Sequence, residues 1–262
     1  MTDTPVLLDI NGPIATITFN RPAYLNAIDE ALAEAFRDAC EIVATTADLR
    51  VVVLRGAGRG FMAGGDLSRF HAQPGNGPAV ADSLLIPLHA GLLRLASIPQ
   101  PVIASLHGPV AGAGMSVALA CDLAIAADDA KFTLAYARVG TSADGSATWS
   151  LPRIVGLRKA LEIALLADTI DATEALRLGL INQIVPAADL TRRTNVLAHR
   201  LAAGPLVAYG HIKRLMRASL DNDLPTQMAA ERTAFHTCAA TADFAEGVAA
   251  FREKRPATFV GR

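Results

Sequence analysis

Val51-Val52-Val53-Leu54 followed by Gly60-Phe61-Met62-Ala63-Gly64-Gly65-Asp66 decides how this chain is read. It is joined by Pro101-Val102-Ile103-Ala104 followed by His107-Gly108-Pro109-Val110-Ala111-Gly112-Ala113-Gly114-Met115. Each is an apolar run of strand type that opens into a glycine-rich turn. The second turn passes straight into an apolar helical stretch, Ser116 to Cys121. Small residues let a ligand approach the main chain, and a helix start leaves N–H groups without partners inside it. Two such turns converging on one carbonyl oxygen form an oxyanion hole, a device that stabilises a thioester enolate or a tetrahedral adduct. Either turn alone could be an ordinary strand-to-helix connection. Gly112-x-Gly114 also invites a dinucleotide-binding reading, but Val117 stands where the third glycine of that fingerprint belongs.

Outward from these turns the chain alternates between strand and helix patterns. Residues 14–19 place Ala15, Ile17 and Phe19 on one face, as a half-buried strand does. Asp29 can cap a helix whose apolar face carries Leu32, Ala35, Phe36, Ala39, Ile42 and Val43. Residues 50–55 are continuously apolar, as in a strand covered on both faces. A helix is predicted near 80–97, ended by Pro99-Gln100-Pro101, and strand, loop, helix and strand follow through 101–127. The alternation argues for an α/β domain with right-handed crossovers over residues 1–195. From 196 to 262 the pattern is all helical, with Gly204-Pro205 as a break. Ile212, Leu215, Met216 and Ser219 share one helical face there, and Phe244, Val248 and Phe251 share another.

With 262 residues, 52% hydrophobic and 19% charged, the chain can bury a sizeable core. A net charge of -1 provides no basic footprint for nucleic acid. Cys40, Cys121 and Cys238 lack metal-type spacing and read as free thiols in a reducing cytoplasm. Met1-Thr2-Asp3-Thr4 begins no signal peptide, and no apolar run is expected to reach membrane-spanning length. A cytoplasmic protein is expected, without a metal site.

The ordered set of motifs resembles the crotonase (enoyl-CoA hydratase/isomerase) family over nearly the whole chain. It comprises Asn20-Arg21-Pro22, Leu25-Asn26-Ala27, the two glycine turns, Ala120-Cys121-Asp122, Leu151-Pro152-Arg153, Ala175-Leu176-Arg177-Leu178-Gly179-Leu180 and Phe251-Arg252-Glu253-Lys254-Arg255-Pro256. The resemblance implies a spiral of repeated ββα units. It also implies a C-terminal helical region that builds a homotrimer, often doubled to a hexamer. It implies a coenzyme A thioester as substrate, with no separate cofactor. The oxyanion donors become the N–H groups of Gly65 and Ala113. Arg21, Leu25, Ala27, Ala63, Arg69, Phe251 and Lys254 fall at coenzyme A contacts, with Arg255 a further nearby cation and the C-terminal residues reaching the coenzyme from a neighbouring subunit.

Which reaction follows is a separate matter. Hydratases of the family use two glutamates, and the matching positions here are Ser116 and Tyr136, neither of which takes a proton from water at neutral pH. Asp144, in Ser142-Ala143-Asp144-Gly145-Ser146, falls where the isomerase branch carries a catalytic aspartate, including ring-epoxide phenylacetyl-CoA isomerases. On sequence grounds alone Asp144 can equally be a turn or N-cap residue. His89, in Leu84-Leu85-Ile86-Pro87-Leu88-His89-Ala90, reads as a packed histidine. It also falls where 4-chlorobenzoyl-CoA dehalogenases carry a water-activating histidine beside a nucleophilic aspartate. The favoured reading is an enoyl-CoA isomerase with Asp144 as proton shuttle. The alternatives are a hydratase with another base, a hydrolase using Asp144 and His89, and an idle acyl-CoA binder.

Overall fold

The computed structural model describes residues 4–262. The signal-peptide reading of Met1-Thr2-Asp3 therefore lies outside the described residues. The strands are β1 (Val6–Asn11), β2 (Ile14–Phe19), β3 (Val51–Gly56), β4 (Val102–Leu106), β5 (Pro109–Ala111), β6 (Leu123–Ala127), β7 (Lys131–Thr133), β8 (Ile170–Asp171) and β9 (Gln183–Val185). The helices of the first half are α1 (Glu30–Thr45), α2 (Leu67–His71), α3 (Gly77–Ser97) and α4 (Ala113–Ala120). Those of the second half are α5 (Ala147–Val155), α6 (Leu157–Leu166), α7 (Ala172–Arg177), α8 (Leu190–Ala202), α9 (Leu206–Ala218), α10 (Leu224–Ala239) and α11 (Ala242–Glu253).

A six-stranded sheet runs β1-β2-β3-β4-β6-β9, and a three-stranded sheet runs β5-β7-β8. Only the β1–β2 hairpin is antiparallel in the large sheet. The unit β4-β5-α4 gives its first strand to the large sheet and its second to the small one, and β6-β7 repeats the pattern. The segment after β3 does the same in rudimentary form. Met62 bridges Val110 of β5, with Met62 N–H donating to Pro109 O (3.1 Å) and Ala111 N–H to Met62 O (2.9 Å). This is the expected spiral of ββα units. The loop after β3 is thereby laid against the loop after β4, at the strands' C-terminal ends, where open α/β sheets place ligands.

The core follows the apolar patterns. Ala15, Ile17 and Phe19 are buried, and Phe19 packs on Phe36 and Phe61 at 5.5 Å between ring centroids in each case. Leu32, Phe36 and Val43 of α1 are buried, each contributing about 1.5–3 kcal/mol through burial. Asp29 caps α1 by accepting Leu32 N–H at 2.9 Å. Ile42 departs from expectation. It sits on the outer edge of the apolar stripe and is exposed, while Ala33 and Cys40 are buried. Burial pushes the Cys121 thiol up to about 12 and Cys40 higher still, so both stay protonated.

The expectation that no apolar run reaches spanning length is corrected. By length and composition alone, α3 could cross a membrane, with 21 residues and a mean hydropathy of 1.4 in its most apolar window. Much of that hydropathy is core: Val80, Leu84, Leu88, Leu92 and Leu95 are buried. Residue 195, where the sequence changes character, falls inside α8, whose Ala198 and Ala202 pack on Val51, Val53 and Ile103 of the large sheet. Beyond it, α9 is locked to the core by Asp122, which takes Lys213 and Arg217 at 2.8 Å each. Of the apolar faces expected here, Leu215 is half-buried and the other large side chains are exposed in the single chain. Met216 is 72% exposed, Ile212, Phe244 and Val248 are exposed as well, and Phe251 is 86% exposed.

Candidate active site

The two glycine turns meet with little room for side chains at Gly114 and Gly64, and Gly112 faces them. A Cβ on Gly64 would lie 3.3 Å from Ala111 O and 3.6 Å from Ala113 N, and one on Gly112 would lie 3.5 Å from the Gly64 Cα. A Cβ on Gly114 would strike Met62 O at 2.3 Å. Gly64 and Gly112 also hold φ of 107° and 50°, which disfavour any side chain. A parallel bridge aims Gly65 outward. Ile28 N–H donates to Gly64 O and Asp66 N–H to Ile28 O, both at 2.8 Å, so the flanking residues take the ladder bonds. Ala113 is the first residue of α4, where no intrahelical acceptor exists. Among the described residues neither the Gly65 nor the Ala113 N–H has an acceptor. Gly65 carries no neighbour within 4 Å of a would-be Cβ, which leaves room for a ligand beside it.

Asp144 sits on the turn that enters α5. It does not cap that helix: Ser146 holds the cap position and makes no side-chain cap bond. Instead Asp144 Oδ1 accepts the Tyr136 hydroxyl at 2.9 Å, and Tyr136 Oη lies 2.9 Å from Ser116 Oγ. The two positions that matched the hydratase glutamates are thus bonded to one another, and Tyr136 is bonded to Asp144. Burial pushes the Asp144 carboxyl above its ordinary range, with Tyr136 and His89 drawing it partly back. Burial first and the Asp144 charge second raise the Tyr136 phenol, so it stays protonated. His89 does not bond Asp144. Its Nε2 accepts the Gly145 N–H at 3.2 Å, which requires that nitrogen to be unprotonated. His89 therefore pins a turn in which Gly145 and Ser146 have φ of 57° and 73°.

The enoyl-CoA hydratase/isomerase family model matches residues 9–262. The chain belongs to the enoyl-CoA hydratase/isomerase family. It is 40% identical over 254 residues to a probable enoyl-CoA hydratase of Rhodobacter capsulatus, covering 97% of each chain. It is 35% identical to the 1,2-epoxyphenylacetyl-CoA isomerase of Escherichia coli K12, covering 98% of each. The crystal structure of an enoyl-CoA hydratase from Polaromonas sp. JS666 matches with a TM-score of 0.92 at 33% identity, over 97% of this chain and 99% of that one. The crotonase fold and an acyl-CoA chemistry follow from this membership.

In this crotonase the strip expected to hold coenzyme A is built from Leu25 to Ile28 lying beside Ala63 to Asp66. Ala63 N–H donates to Leu25 O at 3.0 Å. Asn26 is the organiser that the sequence reading did not single out. It is fully buried in a left-handed conformation, φ 57°, and its Nδ2 donates to Ala57 O, Gly60 O and Phe61 O at 2.9, 2.9 and 3.1 Å. The sequence feature that could have flagged it is an asparagine, a residue type that tolerates φ > 0, shortly after Arg21-Pro22. Arg21 is engaged within the strip, pairing with Asp29 (3.0 Å) and Asp66 (3.2 Å) and donating to Ala27 O. Arg69 pairs with Glu30 at 2.9 Å and remains partly exposed. Asp66 also caps α2 through Ser68 N–H at 3.2 Å. Arg255 pairs with Glu246 and Glu253. Phe251 projects into solvent, and Lys254 is exposed at the end of α11 with φ of 54°. A cavity of about 990 Å³ lies behind the Asp144 turn. It shares His89 and Gly145 with the site and is otherwise bounded by side chains such as Leu92, Trp149 and Met216.

Proposed function

We propose that this crotonase is an enoyl-CoA isomerase. The thioester oxygen lies between the N–H groups of Gly65 and Ala113, and Asp144 removes a proton from one carbon and returns it to another. The observation that carries the reading is that, among the described residues, Asp144 is the one carboxylate joined to the Ser116–Tyr136 pair. Hydration needs a second group that takes a proton from water, and a buried serine and a protonated tyrosine occupy those places. Isomerisation needs only one carboxylate, and partial desolvation suits it to shuttling a proton near neutral pH. The test is to incubate a series of β,γ-enoyl-CoA thioesters with the protein and follow the double bond by NMR. Migration to the α,β position without 3-hydroxyacyl-CoA supports the reading. Formation of 3-hydroxyacyl-CoA as the main product refutes it.

His89 acts here as a turn-positioning residue, because its basic nitrogen is engaged by Gly145. His89→Gln, which can still accept that N–H, is expected to keep activity within about tenfold, the loss being set by one weakened hydrogen bond. Intact-mass spectrometry after a single turnover should show unmodified protein. A substrate-sized adduct on the variant would instead mean that Asp144 is a nucleophile and His89 the base for its release.

Assembly belongs to the same proposal. Met216, Leu220, Leu224, Met228, Phe235 and Phe251 form exposed apolar faces on the helical tail that one chain does not cover. A homotrimer, or a pair of trimers, covers them and brings Phe251 and Lys254 towards a neighbour's coenzyme. Light scattering at micromolar concentration should report three or six chains. A monomer removes this part of the proposal.

A further inference from the structure

Asp144 has two carboxylate oxygens, and the structure treats them differently. Oδ1 accepts the Tyr136 hydroxyl at 2.9 Å, while among the described residues Oδ2 has no hydrogen-bond partner. Tyr136 has a single proton, and it is committed to Oδ1. Ser116 also has one proton, with Gly112 O at 3.4 Å as its other acceptor. The 2.9 Å contact with Tyr136 Oη is much the shorter and has no other proton to fill it, so it runs with serine as donor and the phenol oxygen as acceptor. The serine is fully buried at the start of α4, one turn from the Ala113 donor, and the tyrosine is buried in the 3-10 turn Ala135–Val139. The chain of bonds thus has one polarity, from Ser116 to Tyr136 to Asp144, and it ties the base to the same helix that begins with an oxyanion donor.

We propose that Tyr136, itself held by Ser116, is a positioning residue that reserves Asp144 Oδ1 as a permanent acceptor and leaves Oδ2 as the sole proton-carrying atom. This rests on the isomerase reading above. The substrate C–H pair collapses into the thioester enolate as the proton moves to Oδ2. The enolate then re-forms a C–H bond at the other carbon with that proton, and Oδ2 is returned as carboxylate. The Tyr136 proton stays on the phenol throughout, which its raised position supports. Both protonation states of Asp144 keep the bond, because Oδ1 is an acceptor in each. The groups that face Asp144 are few: Tyr136 from the 3-10 turn, His89 from α3 and, from α4, the uncharged Ser116 through the phenol. Tyr136 donates to the charged form and so favours it. Removing the hydroxyl moves the carboxyl further upward and frees it to rotate.

Two measurements on Tyr136→Phe test this, with 3-hexenoyl-CoA as the probe substrate. The first is a pH titration by carbon-13 NMR of protein labelled at aspartate carboxyls, with the Asp144 signal assigned by its loss in Asp144→Asn. The second is the pH profile of kcat/KM. Loss of one hydrogen bond to a charged group is expected to raise the Asp144 midpoint by about one pH unit. The acid limb of the profile should move with it, and kcat should fall about tenfold while KM changes little. A packing role alone would move neither the midpoint nor the limb. Ser116→Ala, which leaves the ring in place, should shift both in the same direction by less, and it decides the matter if the tyrosine variant does not fold. An unmoved Asp144 midpoint overturns the proposal, and so does a raised midpoint with unchanged kcat. Full activity of Asp144→Asn overturns the isomerase reading itself. The NMR titration needs no turnover, so the two failures are told apart.

Discussion

Asp144→Asn is expected to lower kcat for double-bond migration by about 10³-fold, in the range that positioned acid–base groups supply. Acyl-CoA binding should be nearly unaffected, because the proton transfer is made only in the transition state. The variant should also be a folded one. The asparagine carbonyl can still accept the Tyr136 hydroxyl that Asp144 Oδ1 accepts at 2.9 Å. Stability offers an independent check on the same residue. Burial raises the Asp144 pKa above the ordinary carboxyl value of 3.8, so the folded protein holds that proton more tightly than the unfolded chain. The stabilising contribution is then present below the unfolded pKa and lost as pH rises through the folded one. At neutral pH the ionised carboxylate is therefore a cost, and the asparagine variant should melt at the same temperature or higher. The gap should close on acidification through 3.8. Thermal unfolding at several pH values measures this, and a wild type more stable than Asp144→Asn at pH 7 contradicts the desolvated site. On the kinetic side, solvent deuterium entering migrated product in the wild type and not in the variant is the matching result. Full activity in Asp144→Asn would place the base elsewhere.

Ala113→Pro is the second large effect. Position 113 is the first residue of α4, where proline is well accommodated because the N–H has no helical acceptor. The preceding Gly112 has no Cβ to clash with the ring, so the restriction on residues before proline is relaxed there. The substitution thus deletes one oxyanion donor with little other change. The expected loss is about 10²–10³ in kcat, or roughly 3 kcal/mol of barrier. Circular dichroism and the melting temperature should stay close to wild type. Ala113→Gly, which keeps the N–H, should retain most of the activity. A folded Ala113→Pro enzyme with wild-type kcat would mean that the Ala113 N–H does not face the developing oxyanion.

Local chemistry made several parts of the molecule legible in advance. The continuous apolar run at β3 and the alternation at β2 are properties of neighbouring residues, and both form as read. Asp29 caps α1 because a short acceptor side chain beside a helix start reaches the free N–H groups without help from elsewhere. The glycine turns were visible because close main-chain approach and positive φ both favour glycine: Gly114 leaves no room for a Cβ beside Met62 O, and Gly64 and Gly112 hold φ of 107° and 50°. Ile42 misled because a helical stripe has edges, and periodicity does not say how wide the partner surface is. The same limit applies to α9 and α11, whose apolar faces are evident in the sequence but turn away from this chain's own core.

What the sequence determined by itself is the list of parts: two strand–turn units with small residues, a lone aspartate near a glycine, and a serine and a tyrosine where the family resemblance leads one to look for glutamates. What only the tertiary structure decided is which parts meet. Gly64 lies so near the second turn that an added Cβ would come within 3.6 Å of the Ala113 nitrogen across some fifty residues of chain, Asn26 holds the loop at 57–61, and Gly145 takes His89 rather than leaving it to Asp144. Ser116, Tyr136 and Asp144 become one hydrogen-bonded chain only when α4, the turn after β7 and the turn before α5 are packed on one another. Sequence spacing carries the period of a helix or strand, but a contact between distant segments is set by how whole faces pack, and burial in that packing is also what raises the Asp144 pKa.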